Sequence, residues 1–253
     1  MMPRRNAPYR YAACLLLPIV AVLPGHSAWA AERRPAAEAL GDPTGQGSTR
    51  TLYLSLIRQA RADGRTRAAL AYLDDFDRQY PRDRDSLVLR VNCLLDLGQT
   101  EEAQNALKRI PPNDRGGETL EIRGHVAAAL GDWAQAAREY DAALQANPAS
   151  PLIGNALGYA QLRSGQTAQA VEALRAAHDL APSETVIRNN LALALTMAGR
   201  GSEADALLSG IRDAGTRARV RHEVASEAAM LMAPTAAAGT ANAGTTDAGA
   251  THG

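Results

Sequence analysis

The side chains that could do chemistry are few in this 253-residue chain, and they are scattered. His125, His178, His222 and His252 have no cysteine or acid at a spacing that would close a metal site. Asp74-Asp75 and Glu101-Glu102 are adjacent carboxylate pairs on stretches with helical periodicity. Neighbouring residues on a helix point in different directions, so neither pair can share a proton or a substrate, and both read as solvated helix faces. A phosphate-cradling loop would need G-x-x-x-x-G-K-[ST], and Lys108 is the single lysine. Cys93 has no histidine or basic cluster beside it in sequence and reads as a small buried apolar residue rather than a reactive thiol. No catalytic set, cofactor site or metal site is predicted, and the expected role is binding rather than catalysis.

The elements that must carry such a role are helical. The chain is 46% hydrophobic but only 4% aromatic, rich in alanine and with one Phe, a balance that suits close-packed helices better than a β-rich core. Lys+Arg and Asp+Glu both number 27, so no basic field points to nucleic acid. Residues 1–30 have the form of a secretory signal peptide. Arg4, Arg5 and Arg10 precede an apolar run over 11–23, and Ala28-Trp29-Ala30 offers small residues at −3 and −1. The run is short for a membrane span, Pro18 interrupts it and Pro24 follows its end. Cleavage after Ala30 takes three Arg and no acid, leaving a mildly acidic mature chain. Cys14 leaves with the segment, so Cys93 has no intramolecular disulfide partner. Cys14 also opens the apolar run instead of following it, which argues against lipidation.

Internal periodicity is the dominant signal. Gly64, Gly98, Gly131, Gly165 and Gly199 are spaced by 34, 33, 34 and 34 residues. Five residues after each stands an alanine (69, 103, 136, 170, 204), and four beyond that a bulky side chain: Leu73, Leu107, Tyr140, Leu174 and Leu208. Pro81, Pro148 and Pro182 fall 17 residues after their own glycines. The glycine supplies the left-handed residue that ends one helix, and Thr66, Thr100, Thr167 or Asp132 can cap the next. The alanine marks the closest approach of the two helices, and the residue one turn later fills the core. The proline ends the second helix. One such hairpin cannot bury its own apolar face, so five must stack into a solenoid.

This pattern resembles the tetratricopeptide repeat, W-x2-L-G-x2-Y then A-x3-F then P, over about two thirds of the chain. The units are 50–83, 84–116, 117–150, 151–184 and 185–218. The third, with Gly124, Trp133, Ala136, Tyr140, Ala143 and Pro148, and the fourth, with Leu157-Gly158, Ala170, Ala177 and Pro182, fit best. The resemblance implies an all-α, right-handed solenoid in which positions 2, 5, 9, 12 and 13 of each unit line a concave groove. Carried over, position 5 is Leu54, Val88, Glu121, Asn155 and Asn189, and position 9 is Arg58, Asn92, His125, Tyr159 and Leu193. The expected partner-binding set is Arg58, Asn92, Glu121, His125, Asn155, Tyr159, Asn189 and Leu193, with Asn side chains for a peptide backbone and Tyr159 as an anchor. A groove without lysine makes no carboxylate clamp.

Residues 31–49 have linker composition, 219–232 repeat apolar residues at helical spacing as a capping or docking helix, and 233–253 form an Ala/Gly/Thr tail expected to be disordered. Unit five, from Ile187-Arg188-Asn189-Asn190-Leu191 through Met197-Ala198-Gly199-Arg200 to Glu203-Ala204, resembles the tetratricopeptide protein of tight-adherence (Flp) pilus assembly. Arg217 to Ala225 resembles a decayed copy of the unit that comes after it there. The implied role is a periplasmic adaptor in a Gram-negative envelope, with a pilus secretin or pilus assembly component as protein partner. Neither nucleic acid nor a small-molecule substrate is expected, and contact with a membrane would come only through partners or an uncleaved N-terminus. A periplasmic scaffold for polysaccharide export or outer-membrane protein assembly is the alternative.

Overall fold

Each periodic glycine turns the chain. Gly64, Gly98, Gly131, Gly165 and Gly199 have φ between 72° and 82°, the left-handed region that costs a Cβ-bearing residue about 1 kcal/mol or more. At the first, the Gly64 N–H donates to Arg61 O and the Arg65 N–H to Ala60 O, both at 2.9 Å, and the same pair of bonds recurs at the other four. This closes the carbonyls that the preceding helix leaves open. In this computed structural model, which describes residues 46–233, the result is eleven helices: α1 Gln46–Ala62, α2 Thr66–Gln79, α3 Arg84–Asp96, α4 Thr100–Leu107, α5 Gly117–Ala129, α6 Trp133–Ala146, α7 Pro151–Arg163, α8 Thr167–Leu180, α9 Thr185–Met197, α10 Gly201–Ser209 and α11 Ala214–Met232. No strand occurs among the described residues.

The caps differ from expectation for a geometric reason. One residue separates each turn glycine from the next helix, and that residue is Arg65, Gln99, Asp132, Gln166 or Arg200. Only Asp132 is short and an acceptor, and it accepts from the Gln135 N–H at 2.9 Å. Thr66, Thr100 and Thr167 lie one residue too late, as the first residues of their helices, and cap nothing. Asp83, Ser150 and Asp213 cap α3, α7 and α11, at starts that do not follow a glycine turn.

Within the hairpins the packing follows the repeat. Ala69, Ala103, Ala136 and Ala170 are fully buried and Ala204 nearly so, and Leu73, Tyr140, Leu174 and Leu208 fill the core one turn later. Leu107 is the exception: α4 stops at that residue, and Ala106 and Ile110 are buried instead. Gly124 and Gly158 mark where first and second helices touch. A Cβ on Gly124 would lie 2.5 Å from the Tyr140 ring, and one on Gly158 would lie 2.5 Å from Leu174 Cγ and 3.2 Å from the Ala170 carbonyl oxygen.

The five hairpins stack, and first helices pack side by side within each half of the array. α3 packs on both α1 and α5, and α9 on both α7 and α11, while the third and fourth units join chiefly through α6 against α7. The chain is an all-α solenoid. Its ends depart from the spacing: α1 begins at Gln46, inside the stretch read as linker, and α11 begins at Ala214, five residues before the expected capping helix, because α10 has only 9 residues. The signal segment 1–30, residues 31–45, the tail beyond Ala233, Cys14 and His252 lie outside the described residues.

Candidate partner-binding groove

The first helices place position 9 of α1, α3 and α5 on one open face. Arg58 is exposed there, and Asn92, Glu121 and His125 are half-buried. Two adjoining hollows of about 260 and 250 Å³ run along this face and share Arg58, Arg61 and Leu89 in their walls. The second is floored by Val88, Leu89 and Ile122 and rimmed by Asp85, Asn92, Glu118, Glu121 and His125. Arg61, Asp85, Asp96 and Glu118 were not among the predicted residues. The signal was in the register, since Asp85 and Glu118 occupy position 2 of their units, Arg61 position 12 and Asp96 position 13.

Charges bind neighbouring units along this half. Arg50 on α1 donates to Asp83 at 2.7 Å and Asp85 at 2.9 Å. Arg84 on α3 repeats the contact one unit on, reaching Asp114 at 2.8 Å and Glu118 at 3.3 Å. Arg61 grips Asp96 through two bonds of 2.6 and 3.0 Å. Burial alone would raise the Asp85 carboxyl, but the Arg50 hydrogen bond and the charges of Arg50, Arg84 and Arg58 outweigh it and hold it below the usual carboxylate range.

Two charges in the hollow are left over. Arg58 forms no ion pair among the described residues, and the Glu121 carboxylate meets only the imidazole of His125, at 3.9 Å. Burial lowers the His125 pKa to about 4, with the nearby Arg61 charge acting in the same direction, although 35% of the side chain is still open to solvent. The ring is therefore neutral at pH 7, edge-on to Tyr140 with centroids 5.5 Å apart. Burial, and then the neighbouring Glu118, raise the Glu121 carboxyl above its ordinary value, with Arg61 opposing.

The other four predicted groove residues are covered. Tyr159 and Leu193 belong to one apolar cluster with Leu191, Val220, Val224 and Ala228, so α11 lies over the face that α7 and α9 would present. The Tyr159 hydroxyl bonds Glu227 of α11 at 3.1 Å, and its ring stands edge-on to Trp133, over which Arg163 stacks at 4.2 Å. Asn155 and Asn189 are 8% and 6% exposed. Asn190 donates to Asn155 Oδ1 at 2.9 Å, one unit away, and Asn189 Oδ1 has no partner.

The remaining chemical candidates do not converge. His178 lies in the last turn of α8, His222 is exposed on α11, and no group of three His, Cys, Asp or Glu that could hold a metal occurs among the described residues. Asp74 pairs with Arg90 at 2.8 Å and Asp75 with Arg78, while Glu101 and Glu102 are solvated. Cys93 is buried in the first core cluster, and burial pushes its thiol up to about 11, which makes it inert. No described helix is long and apolar enough to cross a membrane.

Two profiles of the tetratricopeptide repeat match the chain, one over residues 60–120 and 161–225 and the other over 123–185. The chain belongs to the tetratricopeptide repeat family. Solved tetratricopeptide structures with the same fold include TTC0263, a thermophilic protein of Thermus thermophilus, with 23% identity and a TM-score of 0.56 over 72% of this chain and 99% of that one. MamA (41-end) from Desulfovibrio magneticus RS-1 is similar at 21% identity and a TM-score of 0.52, over 69% of this chain and 96% of that one. At this distance the likeness establishes the fold alone. No curated protein matches the chain. Tetratricopeptide arrays are protein-interaction scaffolds.

Proposed function

We propose that this tetratricopeptide protein is an exported, non-catalytic adaptor that holds an extended segment of a partner protein in the half-groove formed by α1, α3 and α5. The observation that carries the reading is the contrast in cover at position 9: Arg58, Asn92 and His125 stand with Glu121 on an open face, whereas Tyr159 of α7 and Leu193 of α9 are buried in one cluster with α11. Asn92 supplies both a donor and an acceptor for a peptide backbone. The form of residues 1–30 supports delivery to the periplasm, and the resemblance of unit five supports service in Flp pilus assembly.

Co-purification from native envelopes tests this, comparing the tagged chain with an Asn92→Ala, Glu121→Ala, His125→Ala variant. Recovery of a pilus secretin or pilus assembly protein that the variant loses is expected. Polysaccharide-export or barrel-assembly proteins lost in the same way would move the adaptor to that machinery. A partner retained by the variant would overturn the groove assignment, and normal piliation in a deletion strain would overturn the pilus assignment.

A further inference from the structure

The open half-groove has a charge polarity that its ion pairs leave exposed. Arg50, Arg61 and Arg84 are each spent on aspartates or glutamates of their own or the next unit. What is left is Arg58 on the α1 side and Glu121 on the α5 side of one hollow, with Asn92 of α3 between them. Glu121 is half-buried beside a neutral imidazole, and nothing cationic offsets it within ion-pair distance among the described residues. A half-buried carboxylate that no cation contacts, although Arg61 acts on it from a distance, favours a cation brought by a ligand, and a guanidinium that contacts no carboxylate, although its field reaches Asp85, favours one from a ligand. Each charge alone would attract many partners; together, at opposite ends, they select an order.

We propose that the open groove takes an extended segment bearing two side chains of opposite charge, an acidic one over Arg58 and a basic one over Glu121, with its backbone between them on Asn92. The inference rests on the adaptor reading above and specifies the partner's chemistry. Packed helices lie about 8–10 Å apart, so α1 and α5 are roughly 16–20 Å apart across α3. An extended chain advances about 3.3 Å per residue. The two charged residues therefore stand about four to six positions apart, allowing for the reach of the arginine side chain. The side chains between them alternate inward and outward.

The test is selection from a phage-displayed random dodecapeptide library on the chain 31–253 and on its Arg58→Glu, Glu121→Arg counterpart. Both substituted side chains lie at the open face, so the fold should hold, which circular dichroism checks. The native chain should enrich peptides with one order of acid and base at this spacing, and the swapped chain the opposite order. Reversing the two charges in a selected peptide should weaken its binding about tenfold at low salt, with a smaller effect at 0.5 M NaCl. If the swapped chain is unstable, Arg58→Ala and Glu121→Gln separately should abolish the preference for the acidic and for the basic residue. Enriched peptides without the charge pair, or with the same order on both chains, would overturn the inference; if they also lost binding with Asn92→Ala, the groove reading would survive it. Peptides indifferent to Asn92, or no enrichment at all, would remove both.

Discussion

The two halves of the solenoid are built from one repeat and end up with opposite surfaces. From α1 to α5, contacts at one-unit spacing are arginine to carboxylate, partly solvated, and the groove above them is open. From α7 to α11 the equivalent spacing is bridged by a buried asparagine pair and by leucines, and the groove is filled. The filler is α11, through Val220, Val224 and Glu227. The turn glycine is the fifteenth residue counted from the start of α3, α5, α7 and α9, at positions 98, 131, 165 and 199. The fifteenth residue of α11 is Ala228, so the helix runs on to Met232 instead of turning, and Glu227 just before that point bonds Tyr159. A groove position is thus defined as much by the helix that ends the array as by its own place in the repeat.

The contrast can be broken most severely at α11. Val224→Asp would put a carboxylate among Leu193 and Ala228, at a cost of more than about 3 kcal/mol. Thermal melting should fall sharply, and hydrogen exchange should rise in α9 while α1 to α3 stay protected. Equal loss of protection in both halves would mean that the array folds as one cooperative unit. A smaller effect is expected from the helix contacts: Gly158→Ala forces a methyl against Leu174 and a carbonyl, and should destabilise by about 1–3 kcal/mol in denaturant titration. Gly124→Ala meets the Tyr140 ring instead, and pairing it with Tyr140→Leu should recover part of the loss.

Salt and pH sharpen the comparison more gently. Arg84→Ala should cost at most about 1 kcal/mol, because the side chain is 37% exposed, and the loss should shrink in 1 M NaCl. Asn155→Ala in the closed half should show no such salt dependence. For His125, a folded pKa of about 4 against an ordinary 6.5 means that the unfolded chain binds the extra proton first. Its contribution is complete above pH 6.5 and is lost as pH falls toward 4. Glu121, with a raised pKa, acts in the opposite sense, its protonated form being favoured in the folded chain. The melting temperature of His125→Gln should therefore fall by a few degrees less than that of the native chain between pH 7 and 5. An unchanged slope would show that solvent screens the imidazole.

Much of the architecture was legible because the repeat encodes it locally. A glycine at 34-residue spacing can be read as a left-handed turn, since the steric cost of φ near 75° falls on every other residue type. A small residue at Ala69, Ala136 or Ala170 can be read as a helix crossing for the same kind of reason. Capping was misread by one position because the length of the corner, a single residue after the glycine, is a property of backbone geometry and not of composition. For the groove, the register put Glu121 and Asn155, and His125 and Tyr159, at equivalent positions of their units but could not say which would remain uncovered.

The sequence by itself thus determined the helices, their turns and the stacking of units, all set by interactions within about one repeat. Only the tertiary structure decided which half of the groove is open, because that depends on Glu227 of α11 reaching Tyr159 two repeats away, whereas the repeat pattern encodes contacts within a unit and between adjacent ones. It also decided which charges are spent and which remain. Arg50, Arg58 and Arg61 look alike in the sequence, and they differ only in whether a carboxylate of the next unit comes within 3 Å.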